Sequence, residues 1–162
     1  MNAADTRKAL LACPLVEGLG ADVIDHLAAI GDVKAVRAGE TVIREGDAGD
    51  ALFVILVGRV RTDKRTPFGD PYTVRLLEAG SFFGELSLLD REQRSATVVA
   101  ETECELLVIA RDRFLAFGDG NPAEGLLVTR RLAQSLSSRL RRANEDVVTL
   151  FSALVQEVEQ RL

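Results

Sequence analysis

At 162 residues the chain has the length of one domain with room for a helical appendage, enough to bury a core without disulfides or metal. A net charge of −5 argues against nonspecific attachment to nucleic acid or an anionic membrane, and two cysteines are too few for a disulfide framework. With one Tyr and no Trp, the core must come mainly from Leu, Val and Ile.

The first segment, residues 5–30, places Leu10, Leu11, Val23, Ile24, Leu27 and Ile30 at helical spacing, with Pro14 and the Gly18/Gly20 pair separating two short helices. Lys8 followed by ALLACPLV loosely imitates a signal sequence, but Glu17 soon interrupts it, so an amphipathic helix is expected. Cys13 and Cys104 are expected to be buried thiols in a reducing cytoplasm. The longest apolar run, Ala51–Val57, falls far short of the roughly 20 residues that span a bilayer. The expectation is a soluble, cytoplasmic protein.

From Val33 to about Ile109 the pattern changes to short strands punctuated by glycines, as in an all-β barrel or sandwich. LFVILVGRVRTDK starts continuously apolar and then alternates, so its first half should be buried on both faces. TPFGDPYT carries the Pro and Gly of a hairpin tip, and YTVRLLEAG and ATVVAETECELLVIA read as further strands. GELSLLD, between them, suits one or two helical turns.

After Gly125 there is no Gly or Pro, leaving 37 residues of helix-forming composition. Leu132, Leu136, Leu140, Ala143, Val147, Leu150 and Leu154 share one narrow stripe, and from Leu136 the spacing alternates four and three like a coiled-coil seam. That stripe packs either on the β core or against a second copy; because the helix outruns a compact barrel, a homodimer is expected. Asn144-Glu145-Asp146 is a possible cap for a second helix starting near Val147, which would break the rod.

The chemistry concentrates between residues 82 and 98. Glu85 and Arg94 are charges set among apolar or small residues, where an unpaired charge is costly. Gly84 permits close backbone approach to a ligand and opens a helical turn whose first N–H groups lack internal partners and attract phosphate. Arg94 supplies a guanidinium fork for phosphate oxygens, Ser95 a hydroxyl, and ionised Glu85 only accepts hydrogen bonds. A sugar phosphate satisfies both ends; a structural Glu85–Arg94 ion pair satisfies the same residues.

FFGELSLLDREQRSATV closely resembles the phosphate-binding cassette of the cyclic nucleotide-binding domain family. CPLVEGL resembles that family's N-terminal helical motif, with Val16 in place of the more usual Phe. AGETVIREGDAGDALFVILVGRVRT and EAGSFFGELSLLD resemble its early β-roll, in the same order. The resemblance implies a mainly β fold: an eight-stranded, jelly-roll-like β-roll over residues 33–110, N-terminal helices over 1–32 and a long C-terminal helical region over 111–162, in one domain. It implies a 3′,5′-cyclic nucleotide as ligand. Glu85 would accept the ribose 2′-hydroxyl and Arg94 meet the exocyclic phosphate oxygens. Backbone amides near Gly84, Leu86 and Ala96, with Ser95, would complete the cradle, and Phe83 counts with the site. A Thr at the place of Ser95 often accompanies cGMP in such families, whereas the R-S-A-T pattern resembles cAMP-binding bacterial members, so cAMP is favoured over cGMP.

The C-terminal helix resembles the dimerising helix of bacterial catabolite-activator-type regulators, where an adjacent Thr-Ser pair meets adenine; Arg139 and Leu140 stand there instead. Arg139 either stacks on the purine or is a solvated residue flanking the dimer seam, the latter being expected, and Leu136 and Leu140 are candidates for a lid over the base. Arg130, Arg131, Arg141 and Arg142 read as a solvated helix face without a recognition helix, so DNA binding by this chain is not expected. Neither is catalysis: His26 is isolated, no metal-ligand spacing exists, and no base is evident to activate water. The expected function is a stand-alone regulatory sensor, without cofactor or metal, that signals to an unidentified protein partner through its C-terminal helix. The alternatives are a dimerisation or scaffold module with an unused pocket and the sensor fragment of a larger transcription regulator.

Overall fold

In the computed structural model, which describes residues 3–161, helix α1 (Ala3–Leu10), a 3-10 turn (Pro14–Val16) and α2 (Ala21–Ala29) precede eight strands. The strands are β1 (Asp32–Val36), β2 (Thr41–Ile43), β3 (Ala51–Val57), β4 (Arg59–Arg65), β5 (Pro71–Glu78), β6 (Phe82–Phe83), β7 (Thr97–Ala100) and β8 (Cys104–Ala110). Helix α3 (Glu85–Asp90) lies between β6 and β7, while α4 (Arg111–Gly120) and α5 (Pro122–Gln160) follow β8. The strands form two antiparallel four-stranded sheets, ordered β1-β8-β3-β6 and β2-β7-β4-β5. This is the eight-stranded roll expected from the sequence, with β1 beginning one residue before Val33.

The apolar run of β3 explains the layering. Side chains alternate across a strand, so Phe53 and Ile55 enter the core between the sheets with Val60, Leu77, Phe83, Val98 and Leu106. Leu52, Val54 and Leu56 point the other way, into a second core with Leu10, Leu15, Ile24, Leu107, Phe114, Val128 and Leu132. The helices at both chain ends thus cover the outer face of the β3 sheet. Cys13 and Cys104 are free and buried, and burial pushes the Cys13 thiol up to about 11.

Past β8 the chain turns at Asn121, where Pro122 starts α5 in the first-turn position that tolerates a missing N–H. Helix α5 then runs unbroken for 39 residues, about 58 Å at 1.5 Å per residue. Of the two alternatives for this region, one rod or a break near Asn144, the structure has the rod, because nothing in that stretch removes a backbone donor or forces a non-helical dihedral. Leu132 is fully buried against the roll, but Val147, Leu150, Phe151, Leu154 and Val158 are exposed, leaving the distal half of the stripe uncovered in the single chain. No helix among the described residues is long and apolar enough to cross a membrane.

Candidate functional site

Gly84 sits between β6 and α3 with φ +81°, and a Cβ there would meet Arg94 Nη1 at 2.8 Å and the Ala51 carbonyl at 2.9 Å. A left-handed dihedral and a collision on the same atom require glycine. Helix α3 begins at the next residue without a side-chain cap, so its first-turn amides have no partner inside the helix.

Arg94 is 5% exposed. Its main chain is fastened on both sides, donating to Asp47 O at 2.8 Å and accepting from Gly46 N–H at 2.9 Å. Its Nη1 donates to Ala51 O at 3.0 Å, Gly84 O at 3.2 Å and Ser87 Oγ at 2.8 Å. The guanidinium lies 5.5 Å from the ring centroid of Phe53, which is stacked in parallel with Phe83 at 4.9 Å. Burial pushes the Arg94 guanidinium below its ordinary range, with Asp50 and Glu85 acting in the opposite sense. Each bonding partner of the side chain is neutral, leaving a buried cation whose counter-charge is not in direct contact.

Glu85, 4% exposed, does not pair with Arg94. It forms a short ion pair with Arg139 of α5. Arg139 Nη2 also donates to Phe82 O at 3.0 Å, and the guanidinium lies over the Phe82 ring at 5.0 Å. The expectation that Arg139 is a solvated residue beside a dimer seam is therefore corrected: α5 crosses the roll at β6, and its side chain is only 24% exposed. Arg131, also read as part of a solvated face, instead reaches Glu17 at the start of the fold.

These residues surround a cavity of about 360 Å³. Gly84, Glu85, Leu86, Arg94, Ser95, Ala96 and Phe83 form one wall of it, and Leu136, Arg139 and Leu140 contribute from α5, so every residue singled out in the sequence lines the same space. Sequence reasoning missed Ser87, which accepts from Arg94, and Thr62, Lys64, Val74 and Arg75 from β4 and β5. The signal for the strand residues was faint: Thr62 and Lys64 alternate along β4 near a hairpin with no local motif, and Val74 and Arg75 are neighbours that alternation alone does not place on one face.

The family model for the cyclic nucleotide-binding domain matches residues 33–121. The chain belongs to that family. It is 36% identical over 131 residues to the cyclic AMP receptor protein of Thermus thermophilus, covering 81% of this chain and 59% of the relative. It is 35% identical over 108 residues to cGMP-dependent protein kinase, isozyme 1, of Drosophila melanogaster, covering 65% of this chain and 14% of the kinase. The chain thus spans less than two thirds of the length of either relative. Its fold superposes on the catabolite activator protein of Thermus thermophilus with a TM-score of 0.77 at 35% identity, covering 85% of this chain and 62% of that one. A cyclic nucleotide-binding β-roll, resembling a bacterial cyclic-AMP receptor along most of this chain, is the shared element.

Proposed function

We propose that the chain is a cytoplasmic regulatory sensor that binds a 3′,5′-cyclic nucleotide in the cavity between the roll and α5, without chemistry of its own. The observation that carries this is the buried Arg94, whose side chain is bonded only to neutral acceptors and which lines the same cavity as the acceptor-only carboxylate of Glu85. A cyclic phosphodiester brings the single negative charge that Arg94 lacks, and the ribose brings a hydroxyl for Glu85. Ser95 and the amides of Leu86 and Ala96 stand beside that phosphate position. A ribose that engages Glu85 competes with Arg139, which ties ligand to the placement of α5 and supplies a route for the signal. Ligand shifts the helix only as far as it binds one arrangement better than the other. We further propose that the exposed stripe from Val147 to Val158 pairs with a second copy.

The R-S-A-T pattern favours cAMP. A second reading, cGMP, is favoured by Arg75, which lines the cavity from β5. An arginine fork matches the N7 and O6 acceptors of guanine, whereas adenine offers a donor at its amino group that arginine cannot accept. Calorimetric titration with each nucleotide decides. Saturable heat with either one supports the sensor, and the tighter nucleotide settles the base. No heat with either up to about 1 mM overturns the reading in favour of a scaffold with an unused pocket.

A further inference from the structure

Behind Phe82 lies a second cavity of about 370 Å³, between the end of β5, the turn at Pro14 and one face of α5. Arg75, Arg139 and Arg142 line it, with the hydroxyls of Ser81, Ser135 and Ser138, and no lining residue is acidic. That is notable in a chain with 25 acidic and 20 basic residues, where Arg7, Arg59, Arg61, Arg113 and Arg161 each meet a carboxylate. Arg75 and Arg142 make no ion pair or side-chain hydrogen bond among the described residues. Burial pushes the Arg75 guanidinium below its ordinary range, and Arg139 and Arg142 push it the same way; Glu85 and Asp146 oppose this without reaching ion-pair distance. Arg139 spends its charge on Glu85, so two cations face this cavity uncompensated.

We propose that this cavity binds a phosphate-bearing small molecule, at a site separate from the proposed nucleotide cavity but sharing its wall at Arg75, Leu77 and Arg139. The donor set fits phosphate better than carboxylate. One guanidinium fork saturates the two oxygens of a carboxylate, whereas a terminal phosphate has three oxygens to divide between two forks and the serine hydroxyls. Pro14, Leu76 and Phe82 give an apolar side for the organic remainder. The volume lies within the range of small-molecule cavities, on the order of 300–1,000 Å³.

Inorganic pyrophosphate is the probe, titrated calorimetrically into the full chain at about 0.15 M salt, where diffuse surface attraction is screened. Arg142 and Ser138 line this cavity alone and are exposed, so Arg142→Gln and Ser138→Tyr test the site without disturbing the core. The expected result is saturable binding to the wild-type chain, weakened about tenfold or more by either substitution. Arg130→Gln, an exposed arginine that lines neither cavity, is the charge control and is expected to leave it unchanged. Binding lost in Arg94→Gln but kept in Arg142→Gln would move the anion to the nucleotide cavity and overturn the proposal. So would the absence of saturable binding up to about 1 mM pyrophosphate at that salt. No cyclic nucleotide enters the experiment, so its outcome is independent of whether the first cavity binds one.

Discussion

Two arginines reach one cavity from regions built differently. Arg94 belongs to the roll: its main chain is bonded to the loop at Gly46 and Asp47, and its side chain to backbone that Gly84 brings within reach. Arg139 belongs to α5, a rod covered by the roll only in its first half, and its one carboxylate partner among the described residues is Glu85. The first cation is fixed by many neutral contacts and left without a counter-charge. The second has its counter-charge and is otherwise held only at Phe82, by one backbone carbonyl and the ring. A ligand anion can enter at Arg94 without displacing protein, whereas engaging Glu85 means competing with a helix. On the proposed function, the difference separates a binding element from a responding one.

The sharpest way to break this contrast is Arg94→Ala. If Arg94 holds the ligand phosphate, its removal is expected to cost about 2–5 kcal/mol of cyclic-nucleotide binding, roughly 30-fold or more by calorimetry. It also strands Ala51 O, Gly84 O and Ser87 Oγ, so stability to urea should fall by about 1–3 kcal/mol. Undiminished affinity in a folded variant would place the phosphate elsewhere.

A chain truncated after Arg142 tests the other region. It removes Val147, Leu150, Phe151, Leu154 and Val158, all exposed, and leaves Leu132 and the helix's contacts with the roll in place. Each of those side chains is worth about 1.5–3 kcal/mol if buried against a second copy. Sedimentation should therefore show a dimer for the full chain and a monomer for the truncated one, with the roll's unfolding midpoint little changed. A dimer that survives truncation would refute the seam.

The same contrast explains what could be read from the sequence. The roll was legible because its signals are local: Gly84 beside Glu85, alternation in β4, and a β3 run apolar at every position and buried on both faces from Ala51 to Leu56. Glu85 and Arg94 were recognisable as unusual charges for the same reason. Their partners were not equally legible. Residues Glu85 and Arg139 lie 54 apart, and their meeting depends on the angle at which α5 leaves Pro122 and crosses β6. No periodicity records that angle, so Arg139 read as a solvated flank. Arg75 and the second cavity were hidden likewise, since they arise where Pro14, β5 and residues 135–142 converge.

Arg139→Gln carries the smallest expected effect and the most about mechanism. Glu85 has a side chain only 5% exposed beneath Arg139, so the ribose hydroxyl must share or displace that guanidinium. If Arg139 acts as a latch, its loss frees the carboxylate, and cyclic-nucleotide affinity should rise about fivefold, near 1 kcal/mol. Glutamine keeps a donor for Phe82 O, which limits the damage from losing the ion pair. Amide exchange in the last turns before Ala143 should quicken in the ligand-free variant, because the ion pair that ties the helix to Glu85 is gone. A fivefold fall in affinity would instead make Arg139 a ligand contact, bringing both cations to the nucleotide and leaving α5 no release to report.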